Sequence, residues 1–154
     1  MTSDKEDPSR KATARNLNEV FAAYAGRPLS AKLGIKPNTA VALVDAPEDF
    51  RQGLRGLPRG VVFRDGVRGR SDLALWFTRS RADLQRGIKA LSTRTDIGPL
   101  WIAWPKRAVN PESDLSQQVV REAGLASGLV DYKICAIDAT WAALLFRRRK
   151  QAAL

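Results

Sequence analysis

Three short runs constrain the fold of this chain more than any other feature: Ala40-Val41-Ala42-Leu43-Val44, Leu73-Ala74-Leu75-Trp76-Phe77 and Leu100-Trp101-Ile102-Ala103-Trp104. Each is apolar at every position. A strand with one wet face alternates polar and apolar residues, whereas a strand covered on both faces does not. These runs are too short for helices and suit strands buried inside a largely parallel sheet. Covering both faces requires helices between the strands, and the chain supplies helical patterns there. Pro47 to Leu57 carries Phe50, Leu54 and Leu57 on one face. Ser80 is an N-cap residue with Asp83 three positions on, followed by Leu84, Ile88 and Leu91 at helical spacing. Ser113 or Asp114 caps a third helix carrying Leu115, Val119, Val120 and Ala123 and closed by Gly124.

Val61-Val62-Phe63 reads as a further strand. Val130 to Ile137 and Trp141 to Phe146, joined by Asp138-Ala139-Thr140, form an antiparallel hairpin. The expected fold is therefore a three-layer, Rossmann-like α/β sandwich with a mostly parallel sheet and a C-terminal antiparallel hairpin. One connection stays open. No helix fits between Phe63 and Leu73, and a parallel crossover normally contains one. Either the strand at 61–64 pairs antiparallel or the loop runs extended along the sheet, and Asp65-Gly66 favours a turn there. Residues 1–15 read as a disordered polar tail, Leu17, Val20, Phe21 and Tyr24 as one face of a short helix, and 16–150 as a single domain.

The chain has 154 residues, no histidine and one cysteine, Cys135. A Ser-His-Asp triad, a Cys-His dyad, a histidine-ligated metal, an internal disulfide and a cysteine zinc site are all excluded. General acid–base chemistry falls to carboxylates, lysines or tyrosines. No stretch approaches the about 18 apolar residues of a membrane span, and no secretory leader is visible, so a cytoplasmic location is expected. The net charge is +10, and residues 51–94 hold eleven basic against three acidic side chains. A second excess is the run Arg147-Arg148-Arg149-Lys150.

The lead-in Leu33-Gly34-Ile35-Lys36-Pro37-Asn38-Thr39 to the first strand, and the order of elements closing in a hairpin, resemble S-adenosylmethionine-dependent methyltransferases over residues 30–146. That resemblance implies an acidic residue and a glycine-rich turn after the first strand, and an acidic residue after the second strand to hold a ribose. Here the turn reads Asp45-Ala46-Pro47-Glu48-Asp49, without glycine, and Asp65 is the candidate for the ribose. The missing glycine argues against S-adenosylmethionine, and no cofactor or metal is expected. A second likeness spans nearly the whole domain. Pro28-Leu29-Ser30-Ala31-Lys32-Leu33-Gly34-Ile35, Trp104-Pro105-Lys106, Arg121-Glu122 and Gly128 to Trp141 resemble a family of bacterial proteins known only as a domain of unknown function.

Ligands of open α/β sheets sit beyond the carboxyl ends of the strands. The expected ligand-binding residues there are Asp45, Glu48, Thr78, Arg79, Ser80, Arg81, Trp104 and Lys106. The helix start at Ser80 with Arg79, Arg81 and Lys106 suits a phosphate or carboxylate. The plainer reading is that Ser80 only caps its helix. Asp131 with Lys133, and Arg121 with Glu122, read either as site pairs or as surface ion pairs, and Cys135 as a buried, inert thiol. The leading expectation is a non-catalytic, methyltransferase-like domain that binds an anionic small molecule or an acidic partner protein. The alternatives are an enzyme with a nucleotide-type ligand at the strand ends, and a nucleic-acid-associated accessory protein with weak, non-specific affinity through residues 51–94.

Overall fold

A computed structural model describes residues 28–149. The expected tail, the helix at 17–24 and Lys150 lie outside the described residues. The elements are α1 (Leu29–Lys32), β1 (Ala40–Val44), α2 (Phe50–Gly53), β2 (Val62–Asp65), β3 (Leu73–Phe77), α3 (Arg81–Ser92), β4 (Leu100–Pro105), α4 (Gln117–Ala126), β5 (Leu129–Ala136) and β6 (Trp141–Arg148). The six strands form one sheet in the order β2-β1-β3-β4-β6-β5. The first four are parallel, and β6 joins antiparallel to both β4 and β5. None of these helices is long and apolar enough to cross a membrane.

The apolar runs do what their composition requires. Every residue of β3 and β4 is buried. Alternate residues feed two cores. Leu43, Leu75, Phe77 and Trp101 pack on the face covered by α1 and α2. Ala42, Trp76, Ile102 and Trp104 pack on the face covered by α3 and α4. Trp101 and Trp104, three apart, thus lie on opposite faces.

The open connection resolves in favour of an extended crossover. β2 runs parallel to β1, with Ala40 opposite Val62 and Leu43 opposite Asp65. Residues 66–72 then cross over β1 to reach β3 without a helix. Ala42 offers only a methyl group on that face, and Val67 packs into the same core. Backbone bonds tie both ends of the crossover to β1. The Gly66 N–H donates to Leu43 O at 2.6 Å and the Asp72 N–H to Ala40 O at 2.8 Å, while the Asp72 carboxylate accepts from Ala40 N at 2.8 Å. The α2 connection uses the opposite face while moving the opposite way, so both crossovers keep one hand.

Two helices differ from expectation. The segment from Pro47 to Leu57 is helical only at Phe50–Gly53. Leu54 turns extended and Gly56 takes φ +65°, so the apolar pattern is met by one turn and a loop. The last helix starts later, capped by Ser116, whose hydroxyl accepts from Val119 N at 3.2 Å. It also runs past Gly124. That glycine does not stop the helix. It lies against the Phe146 ring, where a Cβ would come within 2.3 Å.

Candidate functional site

The carboxyl ends of β1 and β2 open onto a cavity of about 580 Å³ lined by Leu43 to Glu48, Arg51, Gln52, Asp65 and Gly66. Its shape follows from two turns. Asp45 leaves β1 with φ +58° and Gly66 leaves β2 with φ +87°. Asp tolerates the left-handed region because its short polar side chain bonds locally. Asp45 thus makes the turn out of β1 without a glycine. Pro47 accepts from Phe50 N at 3.1 Å and starts the single turn of α2, which carries Arg51 and Gln52 to the cavity wall.

Three carboxylates, Asp45, Glu48 and Asp65, line this cavity with one cation, Arg51. The Arg51 guanidinium contacts Asp65 at 3.2 Å and lies 5.4 Å from the Phe63 ring centre. The Asp65 side chain is 89% exposed, so the pair is screened and easily exchanged. Among the described residues, no three histidine, cysteine or acidic side chains converge as metal ligands.

Of the eight ligand-binding residues expected at the strand ends, Asp45 and Glu48 line this cavity, as does Asp65, the ribose candidate. Arg79 stands beside it, in the crevice between β1 and β3 where the order of strands switches. Its guanidinium donates to Asp45 O at 2.8 Å and lies 5.3 Å from the Trp141 ring centre. Thr78 is fully buried and donates to Ala103 O at 2.7 Å. Ser80 caps α3 by accepting from Asp83 N at 3.0 Å. The backbone donors at that helix start already have carboxylate partners: Arg79 N donates to Asp83 at 3.1 Å, and Arg81 N to Asp114 at 2.8 Å. Trp104 is buried in the α3–α4 core. Lys106 donates to Asp138 O at 2.8 Å, steadying the hairpin turn. There Asp138 accepts from both Thr140 N and Trp141 N at 2.8 Å.

The paired charges rearrange. A β-bulge between Asp131 and Lys133 sets them on opposite faces of β5. Asp131 pairs with Arg121 at 2.9 Å, Lys133 donates to Lys32 O at 3.4 Å, and Glu122 accepts from Gln118 at 3.0 Å. Sequence reasoning left Arg51 and Gln52 out of the site. The signal was available only once β2 was known to be parallel to β1, since that direction brings Asp65 to the same end as Asp45.

Cys135 is buried on β5, and burial pushes its thiol above the ordinary value, against the weaker effect of Lys32, Lys133 and Lys106. At neutral pH its reaction with a thiol reagent such as DTNB is expected to be slower in the folded protein than in urea by about a hundredfold. Equal rates would show that the thiol is accessible.

No protein-family profile and no curated protein sequence matches the chain. Solved structures do resemble it. The ribosomal protein L11 methylase of Lactobacillus delbrueckii subsp. bulgaricus is 11% identical, with a TM-score of 0.47 over 94% of this chain and 84% of that one. Magnesium protoporphyrin IX methyltransferase of Synechocystis with bound SAM is 12% identical, with a TM-score of 0.47 over 96% and 87%. The same enzyme with bound SAH is 9% identical, with a TM-score of 0.44 over 96% and 90%. The likeness is one of fold. It corrects the expectation that set S-adenosylmethionine aside, because structures of this fold hold that molecule and its product. The turn after β1 is made without glycine, by Asp45 in the left-handed conformation, and the carboxyl ends of β1 and β2 still open onto a cavity.

Proposed function

We propose that this methyltransferase-like domain binds a nucleoside-type ligand bearing positive charge at the carboxyl ends of β1 and β2. The observation that supports this reading is the charge of the cavity: Asp45, Glu48 and Asp65 face a single cation, Arg51, itself already engaged with Asp65. Such a lining repels a triphosphate and attracts a sulfonium or an ammonium group. Asp65, at the exposed end of β2, is the carboxylate suited to accept from two ribose hydroxyls once Arg51 is displaced. S-adenosylmethionine, held by the Synechocystis enzyme, has this chemistry and is the ligand to test first. The motif likeness to an uncharacterised bacterial family is compatible with this reading and rests on those motif residues alone.

Calorimetric titration and thermal melting check it. S-adenosylmethionine at about 100 times its dissociation constant should stabilise the fold by about 2.7 kcal/mol and raise the melting point by about 5–10 °C. ATP should do neither, and Asp65→Asn should weaken binding about tenfold. Absence of any effect from S-adenosylmethionine at millimolar concentration, or a stronger effect from ATP, overturns the reading.

A further inference from the structure

The basic residues of the sequence do not gather at the ligand cavity. Arg51, Arg79, Arg81 and Lys106 stand at the carboxyl ends of the strands, and another group meets at the opposite end of the sheet, where α3 and α4 finish and β6 ends. Four arginines there are fastened to backbone carbonyls. Arg64 donates to Arg70 O at 2.7 Å, Arg94 to Gly69 O at 3.3 Å, Arg149 to Leu125 O at 3.2 Å, and Arg148 to Arg94 O. The crossover 66–72 adds Arg68 and Arg70, both exposed. Residues far apart in the chain are thus joined into one basic surface by the crossover and the last strand.

A carbonyl partner positions a guanidinium without cancelling its charge. Each such bond uses one of five N–H donors, and Arg94 alone of the four also donates to a carboxylate, that of Asp96. The acid tied into this network is Asp96, bonded to Arg94 at 2.7 and 2.9 Å. Its carboxyl is held below the ordinary value by that hydrogen bond, with a lesser effect from the charges of Arg94 and Arg70. Gathering like charges costs stability through self-repulsion, and a polyanion laid across them relieves it. The planar fork of arginine fits phosphate oxygens two at a time.

We propose that this arginine surface binds the phosphate backbone of a nucleic-acid duplex, without reading its sequence. The duplex is favoured over a single strand because the exposed aromatic ring among the described residues, Tyr132, has the Arg147 guanidinium 5.5 Å from its centre, so a stacking base would have to displace that cation. Among the described residues neither α3 nor α4 is free to enter a groove, since both pack on the sheet with their apolar faces buried.

Fluorescence anisotropy with a short labelled DNA duplex tests this. With about four phosphates neutralised, affinity should fall about a hundredfold between about 50 and about 200 mM salt. Replacing Arg68→Ala and Arg70→Ala together should reduce the slope of log affinity against log salt by about two. The pair Arg55→Ala and Arg107→Ala removes the same charge elsewhere and should leave the slope nearly unchanged. Melting points of both double variants should match the parent, because none of these four side chains is buried. Equal loss in the two double variants means that net charge alone acts, and overturns the proposal. So does failure to bind the duplex at low salt, or tighter binding to poly-glutamate or to phosphatidylserine vesicles.

Discussion

Replacing Trp101 with alanine is expected to destabilise the protein by about 4–6 kcal/mol, much of the roughly 5–15 kcal/mol that a domain of this kind possesses. Trp101 has no exposed surface, and its indole N–H donates to Leu33 O at 2.9 Å. Truncation both opens a cavity between the sheet and α1 and strips the donor from a buried carbonyl, since Leu33 is itself fully buried. Trp101→Phe separates the two effects. It retains much of the volume, loses the hydrogen bond, and should cost about half as much. Urea unfolding followed by fluorescence or circular dichroism measures both. Because the bond ties the segment before β1 to the middle of the sheet, both variants should also be cut by protease near Lys36 sooner than the parent. A loss below about 1 kcal/mol for Trp101→Ala would show that the segment can collapse onto the sheet without the indole.

The second large effect is at Gly98. This residue takes φ +71°, and a Cβ there would come within 2.2 Å of Asp72 O and 2.7 Å of its carbonyl carbon. Neither atom belongs to a flexible side chain. The turn entering β4 sits on the backbone entering β3, and further bonds lock the two: Ser71 N to Asp96 O at 2.9 Å and Ala74 N to Pro99 O at 3.0 Å. Gly98→Ala therefore incurs about 1–2 kcal/mol for the left-handed conformation and more for moving one strand entrance off the other. A total of about 3 kcal/mol or more is expected. Gly66→Ala is the control, since its φ is +87° but nothing lies within 4 Å of the added carbon. It should show the conformational cost alone. Equal losses at the two positions would mean that the contact with Asp72 is relieved at no cost.

The sequence made the middle of this sheet easy to read and its margins hard. The runs at Ala40, Leu73 and Leu100 are buried on both faces, so composition alone identifies them. β2 is an edge strand whose residues are mostly exposed, and burial could not dictate its direction. That direction depends on a helix-free crossover made possible by one methyl group, Ala42, which no local pattern signals. The candidate site was half legible for the same reason. Asp45 and Glu48 follow an obvious strand, whereas Asp65 and Arg51 join them only through the pairing of β2 with β1. The pairing of Arg121 with Asp131 was hidden by the bulge, which shifts the two-residue rhythm of β5. Gly124 shows the converse error, since a residue that usually ends helices is retained for a ring that packs against it.

The place of β6 bears on how the molecule is made. The last of the described strands is an inner strand, inserted between β4 and β5. A growing polypeptide that has reached only Ile137 holds β4 with a bare margin and β5 with no neighbour at all. One edge of β4, a strand apolar at every position, then stays unpaired until Trp141 to Arg148 follows. Synthesis halted in that interval yields an adhesive intermediate rather than a smaller working protein. The step that fills the gap between β4 and β5 is also the step that brings Arg148 to Arg94, so the basic surface and the six-stranded sheet come into being together.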